Sequence, residues 1–129
     1  MSSILIVDDS RTVRSLVRKM ITGMGFELFE AEDGAKALDH CARSMPTGII
    51  TDWNMPVMNG LEFVERLRRL PGGHDPIIVF CTTENSPENI SRAIDAGANE
   101  FIMKPFDREI LLSRLCQVGL VTDEDMVAA

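Results

Sequence analysis

The stretch "ILIVDDS", Ile4 to Ser10, ends an apolar run in two adjacent acids, Asp8 and Asp9. Neighbouring carboxylates repel, and neither gains by leaving water unless something positive offsets its charge. Taken alone, the pair caps the next helix. Other positions change that. Asp52 follows an apolar run in "ITDWNMPVMNG", Thr82 and Thr83 follow another, and Lys104 with Pro105 follows a third. Singly, each has an ordinary role as a cap or a surface residue. Together, Asp8, Asp9, Asp52, Thr82 and Lys104 form a set able to hold a metal and a phosphoryl group. All the ligands are oxygens, with no thiol or imidazole near, which selects a hard cation; Mg²⁺ is the abundant intracellular choice. A carboxylate beside such a metal can attack phosphorus. The metal and Lys104 would neutralise the oxygens that gather charge, and the Thr82 hydroxyl can donate to the new phosphoryl group.

For these residues to meet, the elements between them must return the chain to one edge. Residues 4–7, 28–31, 49–51, 77–81 and 101–103 are short, apolar and largely β-branched or aromatic, and are predicted as strands. Between them the spacing turns helical. Val13, Leu16, Val17, Met20, Ile21 and Met24 recur at three- and four-residue steps, with Ser10 as N-cap and "GMG" (residues 23–25) as stop. Further helices are predicted over 35–42, 61–70, 87–96 and 107–118, with Pro87 in a first turn and Gly97 after an end. Strands alternating with helices mean an α/β fold: a doubly wound, five-stranded parallel sheet covered on both faces. In such sheets ligands bind beyond the carboxyl ends of the strands, at a topological switch point. That is where the acids, the threonine and the lysine fall.

Composition limits the classes open to the chain. Its 129 residues suit one domain, expected over 1–121, with 122–129 as a short, disordered acidic tail. A net charge of −7 argues against nucleic acid as the main partner. No run approaches the roughly 18 apolar residues of a membrane span, and no signal peptide is evident. Cys41, Cys81 and Cys116 are odd in number and unpaired in pattern, as buried thiols of a reducing compartment would be, so a cytoplasmic location is expected. His40 and His74 lack the companions of a zinc site.

The order "DD", "DWNMP", "CTTE" and "KP" after the first, third, fourth and fifth strands resembles the receiver domain of bacterial two-component response regulators, from about Ile4 to about Val118. The likeness is greatest to the single-domain chemotaxis members. It implies a flavodoxin-like (βα)5 fold with strand order 2-1-3-4-5. It implies Asp52 as acceptor of a phosphoryl group from a histidine kinase or phosphotransfer protein, and Asp8, Asp9, Asp52 and the backbone carbonyl of Asn54 as ligands of Mg²⁺. Lys104 and Thr82 would contact the phosphoryl group, and the Lys104–Pro105 peptide would be cis. Asn54 and Glu84 occupy positions that tune acyl-phosphate lifetime in the family. Phe101 stands where the chemotaxis members carry a switch tyrosine, so the ring is retained and the hydroxyl lost.

These correspondences imply a monomeric signalling protein, not an enzyme acting on other substrates, whose fourth helix, fifth strand and fifth helix change on phosphorylation to bind a target. Ile90 and Phe101 are the positions to watch there, and a flagellar motor switch is the expected target. The alternatives in the same class are a phosphorelay intermediate, a phosphate sink or a regulator outside chemotaxis. Arg14 and Arg18, in a basic cluster on the first helix, are candidates for docking the kinase; an ordinary solvated face is the simpler explanation. An aspartyl-phosphate phosphatase would need an acid two residues after its nucleophile, where Asn54 stands. A flavin-binding module would need a phosphate cradle where Asp8 and Asp9 repel anions.

Overall fold

The computed structural model describes residues 2–83 and 86–122. Glu84, and the expected tail from residue 123 onward, lie outside the described residues. Among those described, strands and helices alternate: β1 (Ser3–Val7), α1 (Arg11–Ile21), β2 (Glu27–Ala31), α2 (Gly34–Arg43), β3 (Gly48–Thr51), α3 (Gly60–Leu67), β4 (Ile77–Thr82), α4 (Pro87–Ala96), β5 (Glu100–Met103) and α5 (Arg108–Gln117). The strands form one parallel sheet in the order β2-β1-β3-β4-β5. The chain thus reverses direction across the sheet between β1 and β3, the expected switch point.

Side-chain alternation divides the core in two. Leu5, Val7, Ile49, Ile78 and Phe80 point to the layer covered by α2, α3 and α4, where Phe63, Val64 and Leu67 are fully buried. Ile4, Ile6, Ile50, Val79 and Ile102 point to the opposite layer with Val17 and Ile21 of α1 and Leu111 and Leu115 of α5. Strands buried on both faces explain why these runs are almost continuously apolar and not alternating. Each helix begins on a side-chain cap: Ser10, Asp33, Asn59, Ser86 and Asp107 accept from the backbone N–H three residues on. Cys41 and Cys81 are buried free thiols, and burial pushes Cys41 up to about 12, which keeps it inert. No helix of the described residues is long and apolar enough to cross a membrane.

Some boundaries differ from expectation. α1 stops at Ile21 and does not reach Met24, because Thr22, whose N–H still closes the last turn onto the Arg18 carbonyl at 2.9 Å, turns extended. Gly23 and Gly25 then take φ of +92° and +88°, which carries the chain away. α3 closes at Leu67, not Leu70, since the N–H groups of Arg69 and Leu70 reach back only three residues, at 3.1 and 3.0 Å. Asp107 is the cap of α5 and not its first helical residue. Leu16, counted in the apolar stripe of α1, is 50% exposed.

The basic cluster of α1 is not simply a solvated face. Arg14 Nε and Arg18 Nε meet the two oxygens of Glu30 on β2 at 3.0 and 2.8 Å. Arg14 Nη1 also donates to the Asp8 carbonyl at 2.7 Å, and Arg18 Nη2 to the Leu28 carbonyl at 3.2 Å. One carboxylate therefore staples α1 to the edge strand. Burial opposes its ionisation, but the hydrogen bonds from Arg18 and Arg14 outweigh that and hold the Glu30 carboxyl below its usual range.

A folded-state value below the unfolded one contributes stability that is fully present above the ordinary glutamate range and lost as pH falls through the lowered value. Glu30→Gln should lower stability by about 1 kcal/mol at pH 7, and the gap to wild type should close on acidification. Urea midpoints between pH 7 and 3 check this; a gap independent of pH would show that Glu30 acts through packing alone. Gly60 gives a second test, because a Cβ there would lie 2.1 Å from the Asp52 carbonyl oxygen and 2.9 Å from Phe80 Cε1. Gly60→Ala should cost about 1–3 kcal/mol, as overpacking does, and an unchanged midpoint would mean that the loop after β3 is free to shift.

Candidate functional site

Parallel register aligns the carboxyl ends of the strands. Val7 pairs with Thr51, Thr51 with Phe80, and Thr82 with Met103. The ladder runs one residue further: the N–H of Asp8 donates to Ala31 O at 3.1 Å, that of Asp52 to Val7 O at 2.9 Å, and that of Lys104 to Thr82 O at 3.0 Å. The residues that carry charge are thus fixed by sheet hydrogen bonds although each lies just outside its strand. Thr82 is still within β4 and is buried, while Thr83 beyond it is exposed.

The acids of β1 and β3 come together as their spacing predicts. Asp8, Asp9 and Asp52 offer carboxylate oxygens that all lie within 4.8 Å of one another, with Asp8 buried, Asp52 half-buried and Asp9 exposed. Lys104 Nζ stands 2.7 Å from Asp8 Oδ2 and 3.3 Å from Asp52 Oδ2. The remaining oxygens have backbone donors: Ser10 N–H reaches Asp8 Oδ1 at 2.9 Å, and Trp53 N–H reaches Asp52 Oδ1 at 2.7 Å. Three carboxylates against one ammonium leave a double negative charge, which matches a divalent cation. An all-oxygen donor set, open to solvent on the Asp9 side, fits a hard ion that keeps part of its water shell.

Asp52 and Lys104 are both shifted upward. Burial pushes the Asp52 carboxyl above its usual range, helped by the neighbouring charge of Asp8 and opposed by Lys104 and the Trp53 N–H. Burial alone would lower Lys104, but its hydrogen bond to Asp8 and the charges of Asp52 and Asp8 outweigh this and raise it, so the ammonium is retained. A half-buried acid raised by its surroundings, grouped with two more carboxylates and a lysine at a sheet edge, marks a candidate site of chemistry. A phosphoryl group arriving there would find a carboxylate oxygen and the Lys104 ammonium, with Thr82 at the end of the adjacent β4.

The other candidates spread out from this centre. Asn54 is exposed on the loop after Asp52. The Lys104–Pro105 peptide is cis. Phe101 is half-buried on β5 against the core, paired with Phe80. Ile90 is 37% exposed on α4, and Ile94, Met103 and Ile110 are exposed with it. Arg14 is drawn inward with its side chain 14% exposed, whereas Arg18 keeps 40%. Between α1 and the cis-proline turn lies a groove of about 370 Å³, lined by Leu16, Met20, Lys104, Pro105 and Phe106 among others.

Sequence reasoning passed over Glu30, Arg68 and Arg92. Glu30 sits in an edge strand with no motif around it. Arg68 donates to the carbonyls of Gly73, Pro76 and Gly97 and to Asn99 Oδ1, partners that no local pattern announces. Arg92 lies over the ring of Trp53, with its guanidinium carbon 5.8 Å from the centroid; the helical spacing of α4 marks the residue as surface.

Comparison with known proteins agrees with this geometry. The family model described as response regulator receiver domain matches residues 4–116. The chemotaxis protein CheY homolog of Campylobacter jejuni is 39% identical over 114 residues, covering 87% of this chain and 88% of that protein. Chemotaxis protein CheY1 of Helicobacter pylori is 37% identical over 123 residues, covering 94% and 98%. Among solved structures, chemotaxis response regulator CheY4 of Vibrio cholerae superposes with a TM-score of 0.85 at 38% identity, over 92% of this chain and 98% of that one. With its acids, lysine and threonine at the strand ends, its 2-1-3-4-5 sheet and this match, the chain belongs to the response regulator receiver domain family and is CheY-like within it.

Proposed function

We propose that the chain is a response regulator that takes a phosphoryl group onto Asp52 and passes the signal on by binding another protein. The observation that carries this is the position of Asp52: half-buried, grouped with Asp8 and Asp9 and 3.3 Å from the Lys104 ammonium. Asp8, Asp9 and Asp52, with the Asn54 carbonyl, would hold Mg²⁺, which supplies charge neutralisation for the phosphoryl oxygens. An Asp52 oxygen attacks phosphorus of a phosphohistidine on a kinase or phosphotransfer protein. The P–N bond breaks as the P–O bond forms, and the imidazole leaves as the neutral base after taking a proton. Lys104 and the Thr82 hydroxyl then hold the phosphoryl oxygens. Attack by water on phosphorus later restores the carboxylate, at a rate that Asn54 and Glu84 tune. The protein transforms no other substrate, and works as a monomer in the cytoplasm.

The kinase module docks beside the site, where Leu16 and the groove along α1 offer apolar surface and Arg18 a cation. The output is the face of α4, β5 and α5. Phosphorylation adds about −1.5 to −2 charges and new acceptor oxygens, and converting 1:99 into 99:1 needs about 5.5 kcal/mol of preference for one state. Thr82 and Lys104 contacts made in one state supply part of that, and Phe101 repacks with them. Ile90, Ile94 and Ile110 then present apolar side chains to a target, which by likeness to the chemotaxis proteins is a flagellar motor switch component.

Intact-protein mass after incubation with phosphoramidate tests the reading. One added phosphoryl group is expected with Mg²⁺, and none with EDTA or in Asp52→Asn; an adduct that survives in Asp52→Asn would move the acceptor elsewhere. Metal binding has its own readout. Mg²⁺ at about 100 times its Kd should raise the unfolding free energy by about 2.7 kcal/mol, and Asp9→Asn should abolish most of that gain. Equal stabilisation of both proteins would place the ion outside the acid cluster.

A further inference from the structure

α4 is held less by burial than its neighbour α3. Ala93 is its one buried residue, against five in α3. Polar and ring contacts from outside the helix hold it in their stead. At its C-terminal end, Arg68 Nη2 and Nε donate to the carbonyl of the cap residue Gly97 at 2.6 and 3.2 Å. The same guanidinium donates to Gly73 and Pro76 at 2.9 and 2.8 Å, so this end of α4 is tied to the loop before β4. In the middle the contact is of another kind. Arg92 lies over the Trp53 ring at 5.8 Å, and among the described residues it has no ion pair, not even with Glu88 one turn before it.

Trp53 is the residue next to the phosphoacceptor and touches it directly. Its N–H donates to Asp52 Oδ1 at 2.7 Å, the residue is 7% exposed, and its ring rests on Phe80 at 5.4 Å between centroids. One residue therefore binds the Asp52 carboxylate through its backbone and a cation of α4 through its π face. A ring attracts a cation only through its quadrupole. A phosphoryl group on Asp52 adds about −1.5 to −2 charges at the residue next to that ring, and an anion attracts a guanidinium more strongly than a quadrupole does.

Resting on the assignment of Asp52 as phosphoacceptor, we propose that Arg92 is a positioning residue that carries the state of Asp52 to α4. In the unmodified protein its contact with Trp53 holds the middle of the helix against the loop after β3. Phosphorylation draws the guanidinium from the ring, and α4 is released about the end that Arg68 fixes. The effect is modest by construction, since an exposed cation–π contact shifts an equilibrium by about two- to fivefold. It adds to whatever Thr82 and Lys104 contribute and is separable from them.

The test compares wild type, Arg92→Gln and Arg92→Lys with phosphoramidate and Mg²⁺, reading adduct by intact mass and hydrogen exchange of the α4 amides on the same samples. Emission of Trp53, the sole tryptophan, is followed in parallel. Wild type should gain adduct, with faster exchange across α4. Arg92→Gln should gain the same adduct, but its α4 amides should already exchange about two- to fivefold faster before the donor is added, leaving a smaller response. Arg92→Lys, which keeps the cation, should behave as wild type. Full adduct on Arg92→Gln with the wild-type exchange response would overturn the role of Arg92 alone. No adduct on wild type would overturn the phosphoacceptor assignment, and the coupling with it.

Discussion

Lys104 Nζ stands between two carboxylates from different strands, 2.7 Å from Asp8 and 3.3 Å from Asp52. Without it, Asp8 and Asp52 would face each other half out of water with no compensating charge, an arrangement proteins avoid. With it, the edge of the sheet still carries more negative than positive charge. The imbalance is maintained by backbone geometry, because the N–H groups of Asp8, Asp52 and Lys104 continue the parallel ladder past the strand ends. The acids cannot relax apart without breaking sheet hydrogen bonds. A site that wants a cation is thus built into the register of β1, β3 and β5, and the apolar layers on both faces hold that register.

The same constraint shapes the neighbouring elements. The loop after β3 must pass Asp52 closely enough for the Trp53 N–H to reach Oδ1, and Gly60 permits it, since any side chain there would strike the Asp52 carbonyl. Val57 in this loop takes φ of +69° and is 83% exposed, an unfavourable conformation for a β-branched residue. Strain of this kind persists where the surroundings over-determine the backbone. On the other side, Arg14 donates to the Asp8 carbonyl while it pairs with Glu30, so α1 buttresses the acid pair from behind.

The fold was almost wholly legible in the sequence, for physical reasons. Strands buried on both faces must be short apolar runs, and helices between them must show one apolar stripe, so "ILIV" and "IIVFC" left little choice. The acids, Thr82 and Lys104 were legible because a parallel sheet sends every strand end to the same edge. Helix ends were less so: α1 stops at Ile21 because the backbone of Thr22 turns extended, a change of conformation that leaves no mark in the periodicity. Long polar side chains were the least legible. Arg14 and Arg18 read as a solvated face, yet the partner that draws Arg14 inward and pairs with Arg18, Glu30, stands on an edge strand twelve or more residues away. Arg92 likewise meets a ring supplied from outside its helix, by the loop after β3.

Rigidity and looseness are divided within the molecule in a way that suits a switch. β3 is buried throughout and β1 and β4 at every residue but their first, and the acids hang from β1 and β3, so a phosphoryl group arriving at Asp52 would meet a site that does not yield. α4 buries one residue and is held by an arginine at its end and another over an indole. A new charge relaxes the structure where the restoring forces are smallest, and that is the helix rather than the sheet. The energy needed to invert a population is several times what one exposed contact supplies, so the proposed switch of α4 would need several small changes at once. Thr82 at the end of β4, Phe101 beside Phe80 on β5 and Arg92 over Trp53 are three such contacts within reach of one sheet edge. Their agreement, more than the strength of any one, is what would make the response cooperative.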